Sequence, residues 1–327
     1  MLSVIIPVWK RYVELELILK RLNEQAQKFN ITLEVVLCDS YSGCEMDDLV
    51  ARSIISFHSL HIIHAQTKNI LSTKRNVGVS KSSGEYLVFL DDDCIPNGDF
   101  LCSIFNIIDS FDTDTVYCGE VRFENELVND SNYYRYRDSK HPVYSEESLI
   151  FFNEWTAVAM NCLISRETLC KYNVCFNDSF IGYGCEDHEF FHALILKGVK
   201  VKFSKQKIYH HEYGGDISKY SGKMFSTARD GMFTLLKASP EMLIENKKLR
   251  VIEKIASNNT AVYKFFRNVI FNKKLCDFIS DVLIKKDKEK MYYIPFLYKY
   301  VLVCHYIYGV SERNAVDRKK VVDNWYV

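Results

Sequence analysis

Three adjacent carboxylates, Asp91-Asp92-Asp93, follow without a break from the apolar run Tyr86-Leu87-Val88-Phe89-Leu90. Carboxylates held this close repel one another, and burying them without a cation is costly. A strand that delivers them to its C-terminal edge therefore calls for a divalent metal as counter-charge. Oxygen ligands suit Mg²⁺ or Mn²⁺, and either ion can bridge a diphosphate. The competing explanation is a solvated acidic turn or the N-cap of a helix.

Three more clusters carry usable chemistry. Gly182-Tyr183-Gly184-Cys185-Glu186-Asp187-His188-Glu189 places two glycines, which let backbone approach a ligand, ahead of an acidic pair that opens a helix. Glu186 and Asp187 are adjacent and so face different ways; one of them is suited to take a proton from an attacking hydroxyl. Ordinary helix capping explains the same acids when they are taken alone. Tyr209-His210-His211 follows a short strand, where a histidine can complete a metal shell begun by carboxylates elsewhere. Lys74-Arg75-Asn76-Val77-Gly78 lies on the helix before the acidic strand, and an arginine there can reach a pyrimidine or phosphate.

The elements that must position these residues alternate in type. Ser3 to Val8, Thr32 to Cys38, Leu60 to His64 and Tyr86 to Leu90 read as strands; Tyr12 to Gln27, Asp47 to Ser53 and Ser72 to Ser80 read as helices between them. That order predicts a parallel sheet flanked by helices, and such sheets bind ligands outside the carboxyl ends of their strands. Asp39, the Asp91 to Asp93 run and the loop after Val8 all fall at those ends.

Further along, Leu101 to Phe111 reads as a helix and Thr115 to Phe123 as a strand. Asn129 to Ser148 is polar and Tyr-rich, and is expected to be a long functional loop. Thr156 to Ile164 reads as a strand, Arg166 to Tyr172 and Glu186 to Lys197 as helices, and Val199 to Phe203 and Lys207 to His210 as two short strands. Beyond Tyr220 Gly and Pro are rare and the pattern stays helical. The expected organisation is a catalytic domain over residues 1–220 and a helical C-terminal subdomain over 221–327.

Composition narrows the function classes. The 327 residues carry 42 Lys plus Arg against 42 Asp plus Glu, without the basic excess of a nucleic-acid binder. Eleven cysteines, an odd number without CxxC pairs, suit a reducing compartment, and Met1 to Pro7 shows no signal-peptide pattern, so a cytoplasmic location is expected. Tyr292 to Val310 is the most apolar late stretch, broken by Lys299 and His305. It reads as a packed core helix in preference to an interfacial one that would bring peripheral contact with the inner face of the membrane and a lipid-linked acceptor.

Taken together, Ser3-Val4-Ile5-Ile6-Pro7, Cys38-Asp39-Ser40, Arg75-Asn76-Val77-Gly78 and Leu90-Asp91-Asp92-Asp93 resemble family 2 glycosyltransferases of the GT-A fold. Phe180 to Phe190 looks like the C-terminal galactosyltransferase motif shared by β-1,4-galactosyltransferases and chondroitin-polymerase-type enzymes. The resemblance covers roughly residues 1 to 220. It implies a Rossmann-like, mostly parallel α/β sheet, and inverting transfer from a UDP-sugar (the galactose, N-acetylgalactosamine or glucose type) to a carbohydrate acceptor in bacterial surface polysaccharide synthesis.

The same resemblance implies roles for single residues. Pro7, Val8 and Asp39 would hold uracil and ribose, with Arg75 near the base. Asp91 and Asp93 would be the ends of the DXD motif at the metal, Asp93 as the direct ligand and Asp91 nearer the ribose, with Asp92 in the donor site and His210 as the distal metal ligand. Asp187 would be the base, with Glu186 on a sugar. Tyr183 and Trp155 would stack on sugar rings, and Gly184 and His188 would line the acceptor side. His188 stands where some relatives carry another acid, and His211 beside His210 leaves the metal ligand ambiguous by one. A non-catalytic sugar-nucleotide scaffold and a nucleotidyltransferase are the rival classes; Glu186-Asp187 speaks against the first, and the lack of a Gly-rich basic loop at Val8-Trp9-Lys10-Arg11 against the second.

Overall fold

A computed structural model describes residues 1–41, 43–145, 150–212 and 214–313. In chain order the elements begin β1 (Leu2–Val8), α1 (Tyr12–Lys28), β2 (Leu33–Asp39), α2 (Cys44–Ser56), β3 (Leu60–Gln66), α3 (Leu71–Lys81), β4 (Tyr86–Leu90), β5 (Cys94–Pro96), α4 (Phe100–Ile108) and β6 (Thr115–Arg122). They continue α5 (Asn125–Asp130), α6 (Asn132–Asp138), β7 (Asn161–Ser165), α7 (Arg166–Tyr172), α8 (Glu186–Leu196), β8 (Lys200–His210), α9 (Ile217–Ser226) and α10 (Met232–Ala238). The last are α11 (Glu241–Glu245), α12 (Lys247–Ser257), α13 (Ala261–Phe265), α14 (Lys273–Lys285) and α15 (Pro295–Glu312). Two compact units divide them: residues 1–124, 141–178 and 186–212 form one, and residues 125–140, 179–185 and 213–327 the other.

The first unit is a mixed α/β fold on an eight-stranded sheet of order β3-β2-β1-β4-β7-β6-β8-β5. β3, β2, β1 and β4 are parallel, β7 runs antiparallel to both β4 and β6, β6 and β8 are parallel, and β5 closes the edge antiparallel to β8. Both sheet faces are covered, so β1 and β2 are buried along their whole length and read as continuous apolar runs. Side chains still alternate: Val4, Ile6 and Val8 join Leu15, Ile18 and Leu22 of α1 in one core, while Ile5 joins Phe89, Phe190 and Phe191 in the other. Gly78 lets α3 lie close on the sheet, since a Cβ there would come within 2.2 Å of Ile5 Cγ2. Pro7 is tolerated inside β1 because pairing with β4 ends at Ile5.

Some elements differ from the sequence reading. The strand predicted from Thr156 begins at Asn161, because Asn153 to Ala157 forms a turn: Asn153 Oδ1 accepts from the Trp155 N–H at 3.0 Å, and the Asn153 carbonyl accepts from Ala157 N–H. The two short strands predicted at 199–203 and 207–210 are one strand, β8, continuous past an irregularity opposite Gly119/Glu120 of β6. The stretch expected as a long loop holds the last two residues of α5 and the whole of α6; Ser131 caps α6 by accepting from Tyr134 N–H. Residues 146–149 of that stretch lie outside the described residues.

The second unit is helical. α9 runs through a π-helical turn, Thr227–Gly231, into α10. α15 packs on α9, where a Cβ on Gly309 would stand 2.3 Å from the Phe225 carbonyl oxygen. Its buried residues are Tyr298, Val301, Cys304, Tyr306, Ile307, Gly309 and Val310, so this helix is core, and among the described residues no helix is long and apolar enough to cross a membrane. Glu253 of α12 receives Arg313 at both carboxylate oxygens, 2.7 and 2.8 Å, and accepts from the Tyr306 hydroxyl. α6 joins these helices through Asn132 N–H to the Asp287 carbonyl and Tyr133 N–H to Asp287 Oδ1, both 2.8 Å, and a stacked Tyr136–Tyr298 pair.

Candidate active site

The C-terminal ends of β1, β2 and β4 and the N-terminus of α8 supply the first unit's polar cluster. β5 sets its geometry. It starts one residue after the acidic run, and its register pairs Cys94 with His210. Asp93 is thereby held beside the end of β8, with its Oδ2 3.3 Å from His210 Nε2. The backbone repeats the tie, since the His211 N–H donates to the Asp93 carbonyl at 2.7 Å. Of the two histidines, His210 faces Asp93, and His211 lies 3.9 Å from Glu14.

Two arginines serve the three carboxylates of the run. Asp91 accepts from Arg75 Nη2 at 3.0 Å. Asp92 accepts from Arg11 Nη1 at 2.9 Å and from the Trp9 backbone N–H at 2.7 Å. Asp93 lies 2.5 Å from the same Arg11 nitrogen. Burial raises the Asp91 and Asp92 pKa values, Asp92 to about 7, although the arginines pull the other way. Burial also opposes the charge on Arg11, but Asp93 and Asp92 outweigh it and hold the guanidinium firmly protonated.

Arg75 is the hinge of the cluster. Its side chain is buried on α3, with Nη2 on Asp91 and Nη1 3.0 Å from Glu186 Oε1. Phe176 lies under the guanidinium, 5.1 Å from ring centre to Cζ. Both arms of the fork are therefore engaged by carboxylates. Glu186 is pushed up by burial and by its neighbour Asp187, and only partly restored by Arg75. Asp187 is half-buried; its Oδ1 accepts from the His188 N–H at 2.9 Å. His188 in turn has Nδ1 2.8 Å from the Glu154 carbonyl and its ring 5.3 Å from that of Trp155. Asp187, His188 and Trp155 thus form one neighbourhood of the first unit.

On the other side, Asp39 at the end of β2 is buried. Its Oδ1 accepts from Ser40 and Tyr41 N–H groups at 2.8 and 3.2 Å, while Oδ2 is buried without a hydrogen-bond partner among the described residues. A lone buried acceptor of this kind suits the N–H or O–H of a ligand. Beside it Trp9 and Tyr41 meet edge to face at 5.9 Å, and Lys10 lies over both rings. Lys74 reaches from α3 to the Val8 carbonyl at 2.7 Å, tying down the loop after Pro7 and Val8. Burial lowers its pKa to about 8.

The sequence reading missed Arg11, Lys74, Trp9 and Tyr41 in this cluster. Two basic residues just past a buried strand end were the available signal for Arg11; nothing in residue type distinguishes Lys74 from a solvated helix lysine. Tyr183 and Gly184, expected as sugar contacts, belong to the second unit. There Gly184 takes a left-handed backbone, φ +86°, and a Cβ on it would stand 2.9 Å from Thr227 Oγ1. A Cβ on Gly182 would stand 2.4 Å from Asp230 Cβ, so both glycines serve close packing on the Thr227–Gly231 turn.

Whether these residues suit a divalent ion can be judged on their spacing. Among the described residues no three His, Cys, Asp or Glu form a metal cage. Asp93 Oδ2 and His210 Nε2, however, are near the separation of about 3 Å expected for neighbouring ligands on an octahedral ion with bonds of about 2.1 Å. Mg²⁺-like ions commonly take one or two protein ligands and complete their shell with water and phosphate. The pair fits two neighbouring positions of such a shell and leaves the others to non-protein ligands.

A half-parallel, helix-covered sheet with an acidic strand end is the architecture of the GT-A fold. Residues 3–172 match the model of glycosyl transferase family 2, and the chain belongs to that family. A curated relative, an uncharacterized glycosyltransferase of Haemophilus influenzae, is 33% identical over 93 residues, 28% of this chain and 29% of the relative; the match thus spans less than a third of the relative's length. Staphylococcus aureus TarS 1–349, solved with UDP-GlcNAc, aligns over 96% of this chain and 91% of its own, with TM-score 0.52 and 15% identity. Pyrobaculum calidifontis mannosyltransferase PcManGT, solved with GDP-Man and Mn²⁺, aligns over 96% and 86% with TM-score 0.58 and 14% identity. At these identities the two structures share the fold.

Proposed function

We propose that the chain is an inverting, divalent-cation-dependent glycosyltransferase that moves a hexosyl group from a UDP-sugar onto a hydroxyl of a carbohydrate acceptor, in the assembly of a bacterial surface polysaccharide. The observation that carries this reading is the division of labour among carboxylates. Arg75 engages Asp91 and Glu186, while Asp187, next to Glu186, stays half-buried. Asp187 is then the carboxylate left to receive a proton.

In the proposed step the acceptor oxygen attacks the anomeric carbon from the face opposite UDP. Its proton passes to Asp187, the new glycosidic bond forms, and the electron pair of the breaking bond leaves on the β-phosphate oxygen. Asp93 and His210 would hold the cation, which offsets charge on the diphosphate as a Lewis acid. Arg75 positions Glu186 and Asp91, and Asp39 offers its partnerless oxygen to the uracil or ribose. Trp155 beside His188 presents an aromatic face to a sugar ring. The domain division proposed is a catalytic part over 1–220 followed by the helical part.

UDP-galactose and UDP-N-acetylgalactosamine are the first donors to test, on the likeness of Phe180 to Phe190 to galactosyltransferase motifs. The presence of a nucleotide sugar in both aligned structures, and of Mn²⁺ in one, is of the same class. The test is a UDP-sugar screen for UDP release, with and without Mn²⁺, on wild type and Asp187→Asn. The variant should lose about 10²-fold or more in turnover while binding UDP normally. Full turnover in the variant removes Asp187 from the role.

A further inference from the structure

The second unit carries an exposed apolar surface that includes none of the residues assigned a role above. We propose that the outer face of the segment from Lys254 to Cys276 is a docking surface for an anionic lipid bilayer. In a chain of zero formal net charge, this segment holds Lys254, Lys264, Arg267, Lys273 and Lys274 and no Asp or Glu; Lys273 is paired with Asp277 just beyond it at 2.9 Å, so Lys254, Lys264 and Lys274 carry the charge argument. No residue of α13 or of the π-helical turn that continues it, Phe266–Ile270, is buried. Val262, Phe265 and Val269 are 62%, 57% and 52% exposed. Their spacing of three and then four residues sets them on one side of the helix.

The backbone beneath these side chains is moored. Arg267 Nη1 donates to the carbonyls of Ile255 and Asn258 at 2.8 and 2.6 Å, closing the C-terminal end of α12. The Tyr300 hydroxyl donates to the Ile270 carbonyl at 2.6 Å, and the Tyr308 hydroxyl to that of Phe271 at 2.9 Å. The apolar side chains therefore stand on a fixed, hydrogen-bonded support. Leu275 and Phe278, one helical turn apart on α14, are exposed as well.

Apolar side chains interleaved with lysines, on a short helix lying on the unit's surface, match the two forces at a membrane interface. Hydrocarbon enters the acyl boundary, and the cations meet anionic headgroups. A second copy of the chain is a poorer occupant, because a two-fold contact would set these like charges against one another. The surface does not involve the apolar stretch from Tyr292, which is packed as α15.

The experiment is flotation of the full chain with vesicles of phosphatidylcholine alone and of phosphatidylcholine with phosphatidylglycerol, at low and high salt. Binding to the anionic vesicles only, weakened by salt, is expected. Phe265→Ser/Val269→Ser and, separately, Lys264→Glu/Lys274→Glu should each weaken it at least tenfold. All four positions are exposed, and unchanged circular dichroism would show that the variants fold. No binding to either vesicle, equal binding to both, or variants that bind like wild type would overturn the proposal. So would a concentration-dependent dimer that Phe265→Ser/Val269→Ser dissociates while vesicles stay unbound.

Discussion

Asp93 Oδ2 stands 3.3 Å from His210 Nε2, and the pairing of Cys94 with His210 across β5 and β8 keeps it there. The two come from distant parts of the first unit's chain yet meet at one sheet edge. If they share a cation, His210→Ala should weaken Mn²⁺ binding in the presence of UDP by at least about tenfold, the scale of losses at metal-site residues. Titration calorimetry of Mn²⁺ into the protein–UDP mixture reads this directly. Equal affinity in the variant would take His210 out of the coordination shell.

Arg11 competes for the same carboxylates. Its Nη1 lies 2.9 Å from Asp92 and 2.5 Å from Asp93, so the guanidinium offsets a charge pair that would otherwise repel. An incoming cation must share Asp93 with it or displace it. Arg11→Met should therefore tighten Mn²⁺ binding in the absence of nucleotide, by about tenfold for a lost competitor worth ~1.4 kcal/mol. Electron paramagnetic resonance of free Mn²⁺ would register the change, and weaker binding in the variant would show that Arg11 supports the cation instead.

The buried bridge of Arg75 makes a stability prediction that needs no ligand. Removing it leaves Asp91 and Glu186 without their shared counter-charge, a loss of about 3–5 kcal/mol for a broken buried pair. Urea unfolding of Arg75→Met should show that loss, and Glu186→Gln in the same chain should return part of it by deleting one stranded carboxylate. Arg75→Lys should rescue poorly, because an ammonium cannot span two carboxylates as a planar fork does. A loss under about 1 kcal/mol for Arg75→Met would mean that the bridge contributes little.

The sheet is legible where burial writes itself into composition. β1 to β4 are short apolar runs separated by helical stretches, and their order alone predicts the parallel half of the sheet. The chain beyond Asp93 is harder to read. β5 has only three residues, too few to show any period, yet its register aligns Asp93 with His210. Arg75 can be seen as a cation near the strand ends, but its engagement by Glu186, 111 positions later, depends on how α8 docks. Local pattern also hides α5 and α6. Tyrosines at Tyr133, Tyr134 and Tyr136 read as a loop because their burial comes from helices more than 80 residues downstream, including Tyr220 and Tyr298.

Lys74 offers a pH-dependent test of how the loop after β1 is held. It is fully buried with its ammonium on the Val8 carbonyl, and burial lowers its pKa from 10.5 to about 8. Below about pH 8 the lysine is charged in both folded and unfolded chains, and the folded state bears the desolvation cost. Between about 8 and 10.5 the unfolded chain keeps the proton that the folded chain has released, so stability rises with pH; above that range the gain is complete. The full span corresponds to a few kcal/mol, on the order of 3. Tyrosines and cysteines titrate over the same range, so the quantity to measure is the difference in unfolding free energy between wild type and Lys74→Met from pH 7.5 to about 10. That difference should move in favour of wild type as pH rises. A difference independent of pH would mean that Lys74 keeps an ordinary pKa, and that its ammonium reaches solvent or a stronger anion in place of the buried carbonyl at the end of β1.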